Sequence, residues 1–229
     1  MTTIAHNLQQ VRARIATACQ ASGRSVHEVA LLAVSKTFGP EAICAACAAG
    51  QHAFGENYIQ EGVEKIALLR EPGIKWHCIG PIQSNKTRLV ATHFDWAHTV
   101  DRPKVAERLS AQRSPDLPPL QVCIQVNVDG GANKSGVAPA DALALARSVA
   151  TLPRLRLRGI MAIPEIAPDF EAAVALYMRA KAVFDELNAT GLELDTLSLG
   201  MSADLEAAIA AGSTLVRVGS AIFGARGHG

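Results

Sequence analysis

Apolar positions along this chain follow two alternating rhythms. Residues 3–22 carry Ile4, Leu8, Val11, Ile15 and Ala18 at helical spacing with Gln9, Arg12 and Arg14 between them, which predicts an amphipathic helix. Beyond it, short apolar runs alternate with longer segments of helical period. The runs predict strands at 30–35, 52–55, 75–80, 94–99, 120–127, 156–162, 194–199 and 214–219. The segments between them predict helices over 40–49, 56–70, 84–91, 102–112, 139–151, 169–190 and 202–211. Val29-Ala30-Leu31-Leu32-Ala33-Val34 is the clearest run. It is continuous and rich in small and β-branched residues, as a strand buried on both faces of a parallel sheet must be.

Eight such units point to an α/β fold, a single (β/α)8 barrel of TIM type with an extra N-terminal helix, occupying 1–229 as one domain. An open doubly wound sheet is the second arrangement compatible with the pattern. No G-x-G-x-x-G follows the first strand, which counts against a dinucleotide site. The stretch 112–119 is linker-like, but either half would keep only four strands, so it reads as a loop entering the fifth strand.

Bulk properties narrow the function classes. Hydrophobic residues make up 49% and charged residues 19% of 229, and the net charge is +1, which offers no electrostatic footing for nucleic acid or an acidic membrane surface. No apolar run reaches the length of about 18 residues that a membrane helix needs. Residues 1–8 lack the basic and apolar regions of a signal peptide, and the five cysteines are scattered. Both features lead us to expect reduced thiols in the cytoplasm. Cys44-Ala45-Ala46-Cys47 has the C-x-x-C form but falls inside an alanine-rich helix with no second pair, so two small buried packing residues are expected there and no metal.

The chemistry collects at strand ends. Lys36 follows the first strand, where α/β folds place reactive groups; partial desolvation there lowers an amine's pKa and frees it to attack a carbonyl. A strand-end lysine that simply reaches solvent fits this position as well. Gly200-Met201-Ser202 leads into the helix expected at 202–211, with Ser202 as N-cap, and strand eight ends in Arg217-Val218-Gly219-Ser220. Loops seven and eight are where such barrels hold phosphate. An amine facing a phosphate cradle is the layout for pyridoxal phosphate. Each residue also has a plain reading: Asn57 and Asn85 as turn residues, Arg217 paired with Glu56 or another carboxylate, His77 as a packed strand histidine.

Several motifs together resemble one family. Val34-Ser35-Lys36-Thr37, Phe54-Gly55-Glu56-Asn57-Tyr58, the run from His77 to Lys86, Lys134-Ser135-Gly136, Leu199-Gly200-Met201-Ser202 and the run from Val216 to Gly224 resemble the YggS/PROSC family of pyridoxal phosphate homeostasis proteins. The resemblance covers essentially the whole chain. It implies a fold-type III barrel like the N-terminal domain of alanine racemase, holding pyridoxal 5′-phosphate as an internal aldimine (a Schiff base) on Lys36. It also implies phosphate contacts from Ser202, Gly219 and Ser220 with Met201 beside them, Arg217 facing the pyridine nitrogen, and Asn57 and Asn85 lining the site. The implied role is buffering the cofactor or delivering it to apo-enzymes as a monomer; an amino-acid racemase is the alternative. An arginine at the pyridine nitrogen weakens the ring as an electron sink. The sequence ends after the barrel, without the second domain from which racemases draw a catalytic tyrosine, and its tyrosines are Tyr58 and Tyr177. One departure is visible: Gly131 or Ala132 stands where an acidic residue is expected before Lys134. A sugar-phosphate isomerase is the remaining rival, with Glu56 and Glu165 as its nearest candidate bases.

Overall fold

Each strand lies within two residues of its expected bounds. In the computed structural model, which describes residues 3–69, 73–130 and 135–224, β1 (Ala30–Val34), β2 (Ala53–Glu56), β3 (Lys75–Cys78), β4 (Trp96–Val100), β5 (Leu120–Gln125), β6 (Leu155–Met161), β7 (Thr196–Ser198) and β8 (Leu215–Val218) form a closed barrel in sequence order. The barrel closes where Ala30 to Ala33 pair in parallel with Leu215 to Val218. The open-sheet alternative is therefore excluded.

Helices alternate with the strands: α1 (Ile4–Ala21), α2 (Pro40–Ala48), α3 (Ile59–Leu68), α4 (Thr87–His93), α5 (Pro103–Gln112), α6 (Pro139–Ala150), α7 (Phe170–Ala189), α8 (Leu205–Ala210) and α9 (Ser220–Phe223). Pro40, Pro103 and Pro139 each open their helix, where the missing N–H costs nothing. The stretch after Gln112 is a loop into β5, as expected. A 3-10 turn at Val26–Glu28 and the single turn of α9 were not anticipated, since neither is long enough to show a period. Because α9 is so short, it leaves the last strand largely uncovered, and α1 packs against α2, α8 and α9 to fill that place. Leu8, Val11 and Ile15 are its buried stripe.

Alternation along the strands sorts the interior. Ala33, Phe54, Trp76, Cys78, Ala97 and Val216 face outward into the core shared with the helices. Leu32, Val34, Ile79 and Leu215 form a separate small cluster inside the barrel. Buried polar side chains of the strands, His77, His98, Ser198 and Arg217 among them, share that interior. Among the described residues no helix is long and apolar enough to cross a membrane.

Candidate functional site

The chain reverses immediately after β1. Phe38 N donates to Ser35 O at 3.1 Å, closing a turn with Lys36 and Thr37 at its centre. Thr37 has φ 68° while Lys36 does not share that sign, the pattern of a type II turn. That position favours glycine or asparagine, and a β-branched residue there costs on the order of 1–3 kcal/mol. Three contacts hold the turn. Ser35 Oγ donates to Glu56 Oε1 at 2.6 Å, Lys65 Nζ donates to Ser35 O at 2.8 Å, and Thr37 N donates to Glu61 Oε1 at 2.6 Å. Lys36 itself is half-buried, consistent with the partial desolvation expected of it.

Lys36 opens onto a cavity of about 500 Å³. Seven of the eight residues singled out from the sequence line it: Lys36, Asn57, Met201, Ser202, Arg217, Gly219 and Ser220. Asn85 does not; it is exposed on the loop before α4. The walls are apolar, from Val34, Phe38, Ile79 and Ile163. Phe38 stacks on Phe223 at 5.1 Å, tying the Lys36 turn to α9. Asn57 is seated by close approach of two backbones, since a Cβ on Gly80 would lie 1.9 Å from Asn57 O.

The expected helix start at Ser202 is corrected. The helix α8 begins at Leu205 and its cap is Asp204. Asp204 is occupied by the preceding loop: its Oδ1 accepts from Met201 N and its Oδ2 from Tyr177 Oη, both at 2.7 Å. Asp204 takes the cap position without a side-chain hydrogen bond to the helix, its carboxylate being spent on Met201 N and Tyr177 Oη. Ser202 is thereby left in the cavity wall, where its Oγ accepts from Gly219 N at 3.3 Å and joins loops seven and eight. Gly200, at φ 88°, makes the turn that allows this.

Arg217 lies on the inner face of β8 and is 4% exposed. It has no ion pair with Glu56, which is bonded to Ser35 and Lys65 instead. Its Nη1 donates to Ser198 O and Ser198 Oγ, both at 2.7 Å, and its Nη2 to Ala162 O at 3.0 Å. Burial pulls its pKa below the ordinary value, although an arginine stays charged throughout the working range. The chain continues across the barrel. Ser198 Oγ is 3.0 Å from His98 Nδ1, and His98 Nε2 is 2.9 Å from His77 Nδ1. Since Ser198 Oγ already accepts from Arg217, its own hydrogen is available for His98, whose remaining N–H then points at His77. His77 stacks flat on Trp96 at 5.1 Å, the packed histidine expected.

These two histidines carry a pH prediction. Burial lowers His77 to about 3 and His98 well below its ordinary 6.5. A depressed pKa means that the unfolded chain binds the proton first, so stability is full above pH 6.5 and falls as pH drops toward 3. The slope is about 1.4 kcal/mol per pH unit for each histidine. Urea unfolding of wild type between pH 7.5 and 5 should show this loss, and His98→Asn should flatten it. An unchanged slope in the variant would remove His98 as a cause.

His98, Ser198 and Tyr177 support the site without having been singled out for it. Nothing in sequence marks a histidine in mid-strand as facing the barrel axis. Glu165 lines a neighbouring cavity of about 800 Å³, while Glu56 lines none of the cavities described. The expectation for Cys44 and Cys47 is also corrected: Cys44 is exposed and Cys47 half-buried, because Ile43 and Ala46 take the packing face of α2. Gly131, Ala132 and Lys134 lie outside the described residues.

The profile of the family described as alanine racemase, N-terminal domain, matches residues 2–227. A pyridoxal phosphate homeostasis protein of Pseudomonas aeruginosa is 56% identical over 229 residues, covering 100% of this chain and 98% of its own length. The chain belongs to this family. Its Escherichia coli K12 counterpart, of the same name, is 54% identical, covering 100% of this chain and 99% of its own length. Among solved structures, PipY of Synechococcus elongatus with PLP bound has a TM-score of 0.84 and 35% identity, and it covers 97% of this chain and 100% of its own. Alanine racemase of Clostridium difficile shares the fold at a TM-score of 0.76 and 13% identity; the match covers 98% of this chain and 57% of the racemase.

Proposed function

We propose that this chain binds pyridoxal 5′-phosphate reversibly through Lys36 and serves cofactor homeostasis, buffering the aldehyde and delivering it to apo-enzymes. Pyridoxal phosphate supplies an electrophilic aldehyde and, when its ring nitrogen is protonated, an electron sink. The observation that carries the reading is the donor set around one cavity: a primary amine at Lys36, hydroxyls and amides at Ser202, Gly219 and Ser220, and the Arg217 guanidinium between them. This set fits the cofactor's three functional ends. Lys36 takes the aldehyde. Ser202, Ser220 and the Gly219–Ser220 backbone hold the phosphate, Met201 covers it, and Asn57 lines the ring. Asn85 would act from the rim.

Arg217 argues for storage over turnover. Its inward N–H groups are locked on Ser198 and Ala162, and an arginine beside the ring nitrogen donates a hydrogen bond without giving up its proton. Lys36 and Arg217 are the titratable side chains among the described residues lining the cavity, and Tyr177 is bonded to Asp204. Racemisation needs two positioned proton donors. The cytoplasm suits all five cysteines, which are free thiols. A monomer is part of the same proposal and is read by light scattering.

The test is titration of cofactor-stripped protein with pyridoxal phosphate, followed by visible absorption and by α-proton exchange of amino acids in deuterated water. A saturable band without exchange is expected. A colourless protein would overturn the binding role, and exchange at a useful turnover would replace homeostasis with racemase-type catalysis.

A further inference from the structure

We propose that Lys65, acting with Glu61 and Glu56, is a positioning residue for Lys36: it clamps both neighbours of that lysine and holds the turn in its left-handed form. The inference rests on the reading that Lys36 carries the cofactor. Lys65 comes from α3, is not among the residues lining the cavity, and is 5% exposed. All three donors of its ammonium are used: Ser35 O at 2.8 Å, Glu56 Oε1 at 2.9 Å and Glu61 Oε1 at 2.6 Å. Glu61 Oε1 also accepts from Thr37 N, and Glu56 Oε1 accepts from Ser35 Oγ. One buried ammonium therefore links the residue before Lys36 to the residue after it.

Stability is a poor explanation for this network. A buried lysine–carboxylate pair rarely outperforms well-packed apolar groups, and here Glu56 Oε2 is buried without a hydrogen-bond partner. What the network does achieve is geometric. Thr37 sits at φ 68°, which a threonine does not adopt unaided, and its N–H is held by the carboxylate that Lys65 fixes. With the turn pinned at Ser35 and Thr37, Lys36 is held at the end of β1 beside the cavity that Ser202 and Ser220 also line. The cost of ordering the amine is met in the apo protein, so the aldehyde finds it in place.

Lys65→Met keeps the stem length and removes all three donors. Two measurements read it: hydrogen exchange of the Thr37 amide in apo protein, and the rate of covalent uptake of pyridoxal phosphate. The expected results are exchange at least tenfold faster and uptake at least tenfold slower. Adding Thr37→Gly, which enters the left-handed region without strain, should restore uptake several-fold while leaving the Tm of Lys65→Met unrestored. A purely structural role would show no such recovery. Should Lys65→Met fail to fold, Glu61→Ala leaves the Lys65–Glu56 pair intact and gives the same two readouts. Wild-type uptake in the variant, or no recovery with Thr37→Gly, overturns the clamp. A wild-type protein that takes up no cofactor at Lys36 overturns the proposed function instead, and the exchange measurement still decides the clamp.

Discussion

Lys36→Ala is expected to give a folded, colourless protein. The side chain is half-buried at the tip of a turn whose hold comes from Ser35, Thr37 and their partners, so truncation leaves the core untouched. A stability change of about 1 kcal/mol or less follows, or a Tm shift of roughly 2–4 °C for a chain of this size. Binding should suffer far more. Without an amine to take the aldehyde, only the other proposed contacts would remain, from Asn57, Met201, Ser202, Arg217, Gly219 and Ser220 with the apolar walls. Affinity is then expected to fall at least tenfold, about 1.4 kcal/mol, and the visible band to vanish. Equilibrium dialysis beside absorption and thermal unfolding checks all three. A variant that keeps the wild-type band would show that another amine carries the cofactor.

Arg217→Met should separate in the opposite sense, with a large loss of stability. It removes three buried hydrogen bonds at once, to Ser198 O, Ser198 Oγ and Ala162 O; Ser198 O keeps Ala162 N and Ser198 Oγ keeps His98, so Ala162 O is the acceptor that loses its donor. One unsatisfied buried acceptor costs about 1–3 kcal/mol, and the bonds lost at Ser198 add to this, so a net loss on the order of 2 kcal/mol is expected. Removing the arginine also frees Ser198, the link to His98 and His77, and loosens the strand crossing between β6, β7 and β8. Arg217→Lys should recover little, because one ammonium cannot span Ser198 and Ala162 as the fork does. Urea unfolding of the three proteins at pH 7.5 reads the ranking. A variant as stable as wild type would mean that the guanidinium serves the cavity alone.

The contrast between these residues explains how much was legible in sequence. The apolar run of β1 is unbroken, and short runs of the same kind recur along the chain between helical segments, so the barrel could be read directly. Chemistry at strand ends was legible for the same reason: Lys36, Asn57, Ser202 and Ser220 each follow the end of a strand, and a closed barrel brings such ends to one rim, while Arg217 lies within β8. What lay hidden depends on contacts between distant segments. Ser202 is a good cap locally, yet α8 starts three residues later and the Asp204 carboxylate is bonded to Tyr177 from α7, a contact invisible in sequence. His98 faces the barrel axis through register alone. Lys65 reads as one more charge on an amphipathic helix until α3 is laid beside β1 and β2, when its charge proves to be buried.

Under the proposed function one amine, Lys36, holds pyridoxal phosphate in this cavity. Borohydride reduction of the protein loaded with the cofactor, followed by peptide mass mapping, tests it most directly. A stable pyridoxyl group on the peptide containing Lys36, at one per chain, is the expected result. A pyridoxyl group on any other lysine, or none after reduction, would contradict the account.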